Sequence, residues 1–273
     1  MHTKLRLALA TNLLLSTTVS LPAAGQTVNI ETMADSEPGF GLSLAGTLHL
    51  ERGNTNETVV GAAAQAQYQT VWSNEDAADD VPAFLRQRIL GTTSLVFESA
   101  EGEQLDNQRF AHLRWTAMWL RRVGSEVFVQ YQFAQFERLD VRLLAGTGAR
   151  FVLLNRDWIT TQVGSAYMLE FEQLTALQGE ASPAPTLAHR WTNFLNVAVS
   201  LFEDRLTLTN TVYFQPRFDD FSDFRVLEEF SLEIAITDIL SFVTALGVAY
   251  DSTPPQEVVS TDVALSQSLL LQL

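Results

Sequence analysis

The amino-acid sequence predicts an all-β fold: a closed, antiparallel, up-and-down transmembrane β-barrel of about twelve strands. One segment after another alternates apolar with polar residues at period two, which is typical of strands whose two faces meet different surroundings. The polar faces are rich in Gly, Ala, Ser, Thr and Gln with scattered Arg and Glu, which suits a wet, crowded lumen. The apolar faces therefore indicate contact with lipid.

Composition supports this prediction and excludes other classes of protein. The 273 residues are 47% hydrophobic, with a mean hydropathy of +0.07. That is too low for a bundle of membrane helices and too apolar for a disordered chain, whereas a barrel with half of its strand residues facing lipid averages to about this value. The absence of cysteine fits an envelope protein that needs no disulfide.

The first residues have the features of a secretory signal peptide. Lys4 and Arg6 precede an apolar stretch, and small residues follow at the cleavage positions around Gly25. We expect a signal peptide at 1–25, a periplasmic lead-in at 26–39 and the barrel at 40–273. Without Lys4 and Arg6 the mature chain has 15 basic and 32 acidic residues, so its net charge is 15 − 32 = −17. This charge excludes nucleic acid as an expected partner.

The last three predicted strands show the alternation most clearly. The first of them sets apolar against small or charged residues: Phe230, Leu232, Ile234 and Ile236 against Ser231, Glu233, Ala235 and Thr237. A second strand follows over 240–250 after a tight turn, and a loop at 251–255 leads to the third. That strand ends the sequence with apolar residues on one face: Val263, Leu265, Leu269, Leu271 and Leu273.

Nine further strands precede these three, and turn-forming residues separate them. Gly53 and Asn54, for example, tolerate positive φ in a tight hairpin. Polar segments at 101–107, 124–125, 155–157 and 203–204 are further predicted turns between strands. The nine predicted strands are 40–51, 58–72, 84–98, 110–121, 127–134, 139–153, 159–172, 191–201 and 206–215.

The connections alternate between short and long. Those after 121, 154, 202 and 236 are short, whereas those after 171, 215 and 251 are longer. Outer-membrane barrels have short turns on the periplasmic side and longer loops outside. The acidic segment 73–82 breaks this rule, because it falls on the short-turn side. Five aromatic residues near strand ends fit interfacial girdles, although one of them has inward parity: Trp72, Trp119, Trp158 (inward), Trp191 and Tyr250.

Three segments carry a resemblance to a known family. They are the stretch DVRLLAGTGARFVLL at 140–154, the turn at Gly53-Asn54-Thr55, and the ending from Val226 with its YDSTPP loop. The chain resembles, from about Gly39 to Leu273, the YdiY-like salt-induced outer membrane proteins of Gram-negative bacteria, a domain-of-unknown-function family. The resemblance implies an outer-membrane barrel and a link to osmotic stress, but no activity. Such barrels usually end on Phe or Trp, whereas this sequence ends on Leu273.

Inward-facing charges are the candidate functional residues. As lumen-lining candidates we select seven arginines and four glutamates: Arg86, Arg88, Arg114, Arg142, Arg150, Arg190, Arg225, Glu51, Glu170, Glu229 and Glu233. Glu172 shares their parity. These charges could line a constriction that selects ions or small polar solutes. They could instead form a ladder of arginine–carboxylate pairs that fills and rigidifies the interior.

The sequence offers no motif for catalysis or for binding a metal. A lipid-acting enzyme on a barrel would need a serine–histidine pair on its lipid-facing side. His49 and His112 have inward parity, and no serine accompanies either in a recognisable motif. His189 is the third histidine of the mature chain. We therefore expect no enzyme, no cofactor and no metal site.

Taken together, the sequence predicts a bacterial outer-membrane protein without enzymatic activity. The leading hypothesis is a passive channel or envelope-homeostasis protein for small polar solutes. The alternatives are a plugged structural barrel without transport and a lipid-acting enzyme. The expected partners are outer-membrane lipid and, during biogenesis, the barrel-assembly machinery.

Overall fold

The computed structural model describes residues 38–51, 57–73, 84–100, 103–135, 137–177, 179, 181–237 and 240–271. Within these ranges the chain forms twelve strands, which confirms the predicted number. The strands are Gly39–Glu51 (β1), Glu57–Ser73 (β2), Phe84–Ala100 (β3), Glu103–Met118 (β4), Val123–Ala134 (β5), Leu139–Arg156 (β6), Ile159–Leu174 (β7), Thr186–Leu201 (β8), Leu206–Pro216 (β9), Phe224–Ala235 (β10), Leu240–Asp251 (β11) and Thr261–Leu271 (β12).

The strands form one antiparallel sheet in chain order, from β1 to β12. Each consecutive pair is a hairpin, as the up-and-down prediction requires. In the described part of the chain β1 and β12 are the two edges of the sheet. Closure between these edges therefore stays a prediction, and so does the position of Leu273, which lies outside the described residues along with the predicted signal peptide.

The sheet curls so that strands far apart in its order come into contact. Arg225 on β10 forms ion pairs with Glu170 and Glu172 on β7, three strands away. At one rim, Arg138 in the turn between β5 and β6 donates a 2.8 Å hydrogen bond to the carbonyl of Gln256, in the loop between β11 and β12. The sheet is thus a half-barrel with a concave inner face and a convex outer face.

The alternation read from the sequence corresponds to these two faces. On β10, for example, Glu229, Ser231 and Glu233 are buried on the concave face, whereas Ile234 is exposed on the convex face. β4 shows the same alternation, with His112 buried on one face and Leu113 exposed on the other. Among the described residues, no helix is long and apolar enough to cross a membrane.

The two rims differ in their connections. One, called here the turn rim, has the short connections 119–122, 157–158, 202–205 and 236–239, and it also has the longer 74–83. The opposite loop rim has the long loops 175–185, 217–223 and 252–260, and the shorter 52–56, 101–102 and 135–138. The predicted contrast in length is therefore confirmed for the second half of the chain. The segment 74–83, which joins β2 to β3, lies outside the described residues, so its exception to the rule stays a prediction.

Several predicted boundaries were wrong. The segment 124–125 was expected to be a turn but lies within β5, and β8 begins at Thr186, not at 191. The polar segment 101–107 was expected to be a turn, but β4 begins at Glu103 and pairs with β3 from Ala100↔Glu103 onward. Main-chain pairing in a sheet does not require apolar side chains, so a polar stretch can extend a hairpin beyond the apolar belt. At its other end β4 stops at Met118, and Trp119 belongs to the following turn.

Candidate functional site: the concave face

The half-barrel gathers most of the candidate charges on its concave face. Arg86 and Arg225 are half-buried there. The side chain of Glu51 lies outside the described residues. The other eight candidates are buried: Arg88, Arg114, Arg142, Arg150, Arg190, Glu170, Glu229 and Glu233.

Near the loop rim, Arg225 is the centre of a network of ion pairs. Its guanidinium contacts Glu170 and Glu172 on β7, and its Nε donates a 2.8 Å hydrogen bond to Asp251 at the end of β11. Arg142 on β6 donates two hydrogen bonds, of 2.6 and 2.9 Å, to the same oxygen of Glu172. Because each carboxylate has several donors, the network ties four strands together.

The network continues into the loop between β9 and β10. Arg190 on β8 lies 3.1 Å from both Glu170 and Asp223. Arg217 extends the chain of charges by pairing with Asp223 at 3.2 Å and with Asp219 at 2.6 Å. The hydrogen bonds from Arg217 lower the pKa of the exposed Asp219 carboxyl below its usual value. We call this set, from Arg142 to Asp219, the rim network.

Deeper in the half-barrel, a second group of arginines shares one carboxylate. Arg150 on β6 lies 2.9 Å from Glu126 on β5, and Arg114 on β4 lies 3.9 Å from the same oxygen. Arg88 on β3 interacts electrostatically with both arginines. Arg114 and Arg150 also lie over the rings of Phe128 and Phe194, at 5.6 and 5.4 Å from the ring centroids. Ring faces attract cations, so they supplement the single carboxylate. We call these four charged residues the inner cluster.

Apolar side chains fill the space between the rim network and the inner cluster. Two buried groups occur at this level: Phe128, Leu144, Ala166 and Met168, and Phe194, Tyr213 and Leu227. A Cβ at Gly146 would overlap the ring of Phe128, and one at Gly164 would overlap the ring of Phe194. The absence of a side chain at these two positions leaves room for the two rings on β6 and β7.

The sheet margins are built differently. On β11, Ser241, Val243 and Ala245 face inward, and a Cβ at Gly247 would meet nothing within 4 Å. Ala264 on β12 pairs with Gly247 in register and is exposed. Among the described residues, the concave face therefore has open space at Gly247, whereas Ser241, Val243 and Ala245 on the same strand are buried.

The histidines serve as polar partners of neighbouring side chains. His112 is buried between the rings of Phe110 and Phe128, and its Nδ1 lies 2.8 Å from the side-chain oxygen of Gln130. His189 lies on the outer face, with its Nδ1 2.5 Å from the hydroxyl of Tyr167. The side chain of His49 is outside the described residues. In the described ranges no group of three or more His, Asp or Glu residues has a metal-binding arrangement.

Sequence reasoning missed five charged members of this site: Glu126, Asp251, Asp223, Arg217 and Asp219. Glu126 was overlooked because its strand was predicted to begin at 127, whereas β5 begins at Val123. Glu126 lies an even number of residues from the inward-facing Gln130 and Gln132, and this spacing could have identified it as inward-facing. Asp251 likewise continues the inward parity of β11. Asp223 lies just before β10, where alternation carries no signal, and its place opposite Arg190 depends on the fold of the loop.

The convex face is apolar, with aromatic residues towards both rims. Trp119 and Trp158 are exposed at the turn rim, and Trp191 and Tyr250 are exposed towards the loop rim. Trp158 had inward parity in the sequence, but it lies in the turn after β6, where strand parity no longer applies. The side chain of Trp72 is outside the described residues. Between the rims, a groove of about 480 Å³ is lined mainly by apolar side chains, including Leu113, Val129, Tyr131, Leu143, Leu169 and Phe171.

Comparison with known proteins identifies a family but no function. A family model described as "Protein of unknown function, DUF481" matches residues 44–272. This supports the resemblance to an uncharacterised family, while the YdiY-like name stays a prediction. No match is found among curated proteins.

Two solved structures are similar at low identity. A NanC porin in a rhombohedral crystal form is 7% identical, with a TM-score of 0.45, over 80% of this chain and 99% of the porin chain. The β domain of the Bordetella autotransporter BrkA is 8% identical, with a TM-score of 0.41, over 85% of this chain and 97% of that domain. Fold likeness of this degree does not transfer a function.

Proposed function

The chain belongs to the DUF481 family of proteins of unknown function, and we propose that it is an outer-membrane β-barrel acting as a narrow passive channel for small polar solutes. Its role in the cell would be envelope homeostasis, and the proposal includes no enzymatic activity. The observation that carries the channel is the free space beside Gly247 on a concave face that is otherwise filled.

The convex face supports the membrane location. Large apolar side chains are exposed on strands throughout the sheet, among them Phe40, Ile89, Leu143 and Leu195. The exposed aromatic residues Trp158 and Tyr167 lie nine positions apart on the convex face. At ~3.3 Å per residue and a strand tilt of ~35–45°, they are separated by roughly 20–25 Å along the membrane normal, which matches the apolar band of outer-membrane barrels.

A lipid environment would also favour closure of the sheet between β1 and β12. In lipid, the unpaired N–H and C=O groups of β1 and β12 would each cost several kcal/mol, by the general cost of ~2–7 kcal/mol for burying such groups. Pairing β1 with β12 removes both edges. The pairing would also cover part of Val263 and Leu265 on β12. These side chains are 66% and 67% exposed, more than most outward residues of the inner strands.

Conductance of the refolded protein in planar lipid bilayers tests the channel. We expect single-channel steps, because the channel proposal takes the open position at Gly247 to be part of a path through the closed barrel. Gly247→Trp should reduce the step size, since the new side chain would occupy that space. Val248→Trp is the matched control: it adds the same volume one residue away on the opposite face and should leave the steps unchanged. An electrically silent wild-type protein would refute the proposal.

A second candidate function is a plugged structural barrel, favoured by the near-complete burial of the inward arginines. Arg150 is 2% exposed and Arg190 is 3% exposed. Long, buried and ion-paired side chains of this kind fill a lumen. This candidate predicts no conductance together with the heat-modifiable gel migration of a folded barrel. Solubility of the mature chain without detergent would contradict both candidates.

A further inference from the structure

We propose that the groove on the convex face is a binding site for an anionic lipid whose headgroup carries a phosphate. This inference rests on the membrane location in the proposed function and does not depend on conductance. It follows from the shape of the groove, from the apolar side chains that line it, and from the position of Arg109.

Two neighbouring rows of paired residues form the groove, which has a volume of about 480 Å³. In one row, Ala145 on β6 pairs with Val129 on one side and with Leu169 on the other. In the next row, Ala111 on β4 pairs with Tyr131 on β5. Because alanine is much smaller than these neighbours, the two alanine positions lower the outer surface of the sheet and form the floor of the groove.

The lining of the groove suits a hydrocarbon chain. Of the described side chains that line it on the convex face, only that of Tyr131 has a polar atom. In a bilayer, a depression of this kind loses dispersion contacts unless an acyl chain fills it. The groove therefore fits one chain of a lipid.

Arg109 supplies a positive charge in the row next to the groove, on the side of the loop rim. It pairs with Phe133, and its guanidinium lies 5.2 Å from the centroid of the Phe133 ring. The Arg109 side chain is exposed, and among the described residues it has no hydrogen bond or ion pair. A charge on the lipid-facing side of a barrel is costly without a partner. A phosphate accepts two hydrogen bonds from one guanidinium and would supply that partner.

Exposed arginines are rare on the strands. In the described strands there are two, Arg109 and Arg156, and Arg156 is the last residue of β6, at the turn rim. Asp140 is exposed near the start of β6, but no ion pair joins it to Arg109 within the described ranges. Arg109 is thus available to a headgroup in the leaflet at the loop rim, while the acyl chain extends along the groove.

Quenching by brominated lipids tests the site. The sequence has no cysteine, so Val127→Cys places a single fluorophore on β5, two residues from Val129 on the same face. The refolded protein is placed in phosphatidylcholine vesicles that contain a small fraction of dibrominated phosphatidylglycerol or of dibrominated phosphatidylcholine. We expect the anionic lipid to occupy the groove, and so to quench this label, about fivefold more effectively.

A label at Leu195→Cys is the control for position. Leu195 lies on the convex face of β8, outside the groove, and it is 44% exposed, compared with 45% for Val127. The two brominated lipids should quench this label equally.

Two pairs of variants separate the charge from the groove. Arg109→Gln should abolish the preference for phosphatidylglycerol, whereas Arg156→Gln removes the other exposed strand arginine and should preserve it. Ala145→Leu fills the floor of the groove and should reduce quenching of the Val127 label by both lipids. Ala149→Leu makes the same change four residues along the same face of β6 and should leave the quenching unchanged.

Equal quenching of the Val127 label by the two lipids would overturn the lipid site. So would a Val127 label that neither lipid quenches while the Leu195 label is quenched, which is the result expected if a second copy of this chain covers the groove. Absence of quenching at both positions would overturn the membrane location as well. An electrically silent protein that keeps the lipid preference would overturn the channel and leave the lipid site intact.

Discussion

The centre of the sheet, strands β3–β10, and its margins, strands β1, β2, β11 and β12, have the same alternation but different interiors. At the centre the inward side chains are long, and they pair or stack across the half-barrel, as Arg225 does with Glu170. At the margins the inward positions hold short residues such as Ala63 and Ala245 together with the buried glutamines of β2, and arginine and lysine are absent. Two-residue periodicity thus specifies a sheet with one apolar and one polar face. The size and charge of the inward residues decide whether the lumen beside that face is filled or open.

Breaking an ion pair at the centre should have the largest effect. In Arg150→Met, Glu126 would keep only Arg114, 3.9 Å away, so a buried carboxylate loses its main partner. We expect a loss of about 3–5 kcal/mol in the free energy of unfolding, measured by urea titration in lipid vesicles. The double variant Arg150→Met with Glu126→Gln should recover only part of this loss, because it removes the unpaired carboxylate but leaves Arg114 without its carboxylate partner. Equal stabilities of the single and double variants would contradict a filled, ion-paired centre.

Replacing a glycine by alanine should destabilise the centre more than the margin. The loss at the centre should be smaller than that caused by breaking an ion pair. In Gly164→Ala the new Cβ would overlap the ring of Phe194, so we expect a loss of about 1–3 kcal/mol. In Gly247→Ala nothing lies within 4 Å, and the change should stay within about 0.5 kcal/mol. The same urea titration measures both. Similar losses at the two sites would mean that the margin is as tightly filled as the centre.

The smallest effect is expected where centre and margin meet at the loop rim. Arg138 donates hydrogen bonds to the carbonyls of Gln256 and Thr175, at 2.8 and 3.0 Å, and so holds the 252–260 loop across the rim. Because Arg138 has a φ of 57°, Arg138→Asn removes the guanidinium while keeping a residue that tolerates this conformation. We expect faster proteolytic cleavage within 252–260 and nearly unchanged barrel stability.

Arg121→Asn serves as the control for that experiment, because Arg121 is an exposed arginine at the opposite rim. Its cleavage rate should match that of the unmodified protein. If Arg138→Asn also leaves the cleavage rate unchanged, the loop is held by its other contacts. One of these is Ser252, whose hydroxyl accepts a hydrogen bond from the Phe224 amide and donates one to the Ser222 carbonyl.

Much of the fold could be predicted from single residues and their spacing. Alternation identified twelve strands and the face on which Arg114, Glu170 and Glu233 lie, because a side chain's face in a strand depends only on its position in a period of two. The partners of these side chains could not be predicted in this way. Arg225 reaches Glu170 across three strands, and that contact depends on how tightly the sheet curls.

By itself, the sequence determined the all-β architecture, the chain-order hairpins and the apolar convex face, since all of these follow from local periodicity and turn residues. It also determined the absence of basic residues from both margins. Only the tertiary structure decided that Arg142, Arg190 and Arg225 pair with the glutamates of β7. It alone also showed that Glu229 on β10 has an oxygen without a hydrogen-bond partner and pairs in register with Gly247. Those relations depend on distances between strands, which strand twist, register and curvature set together.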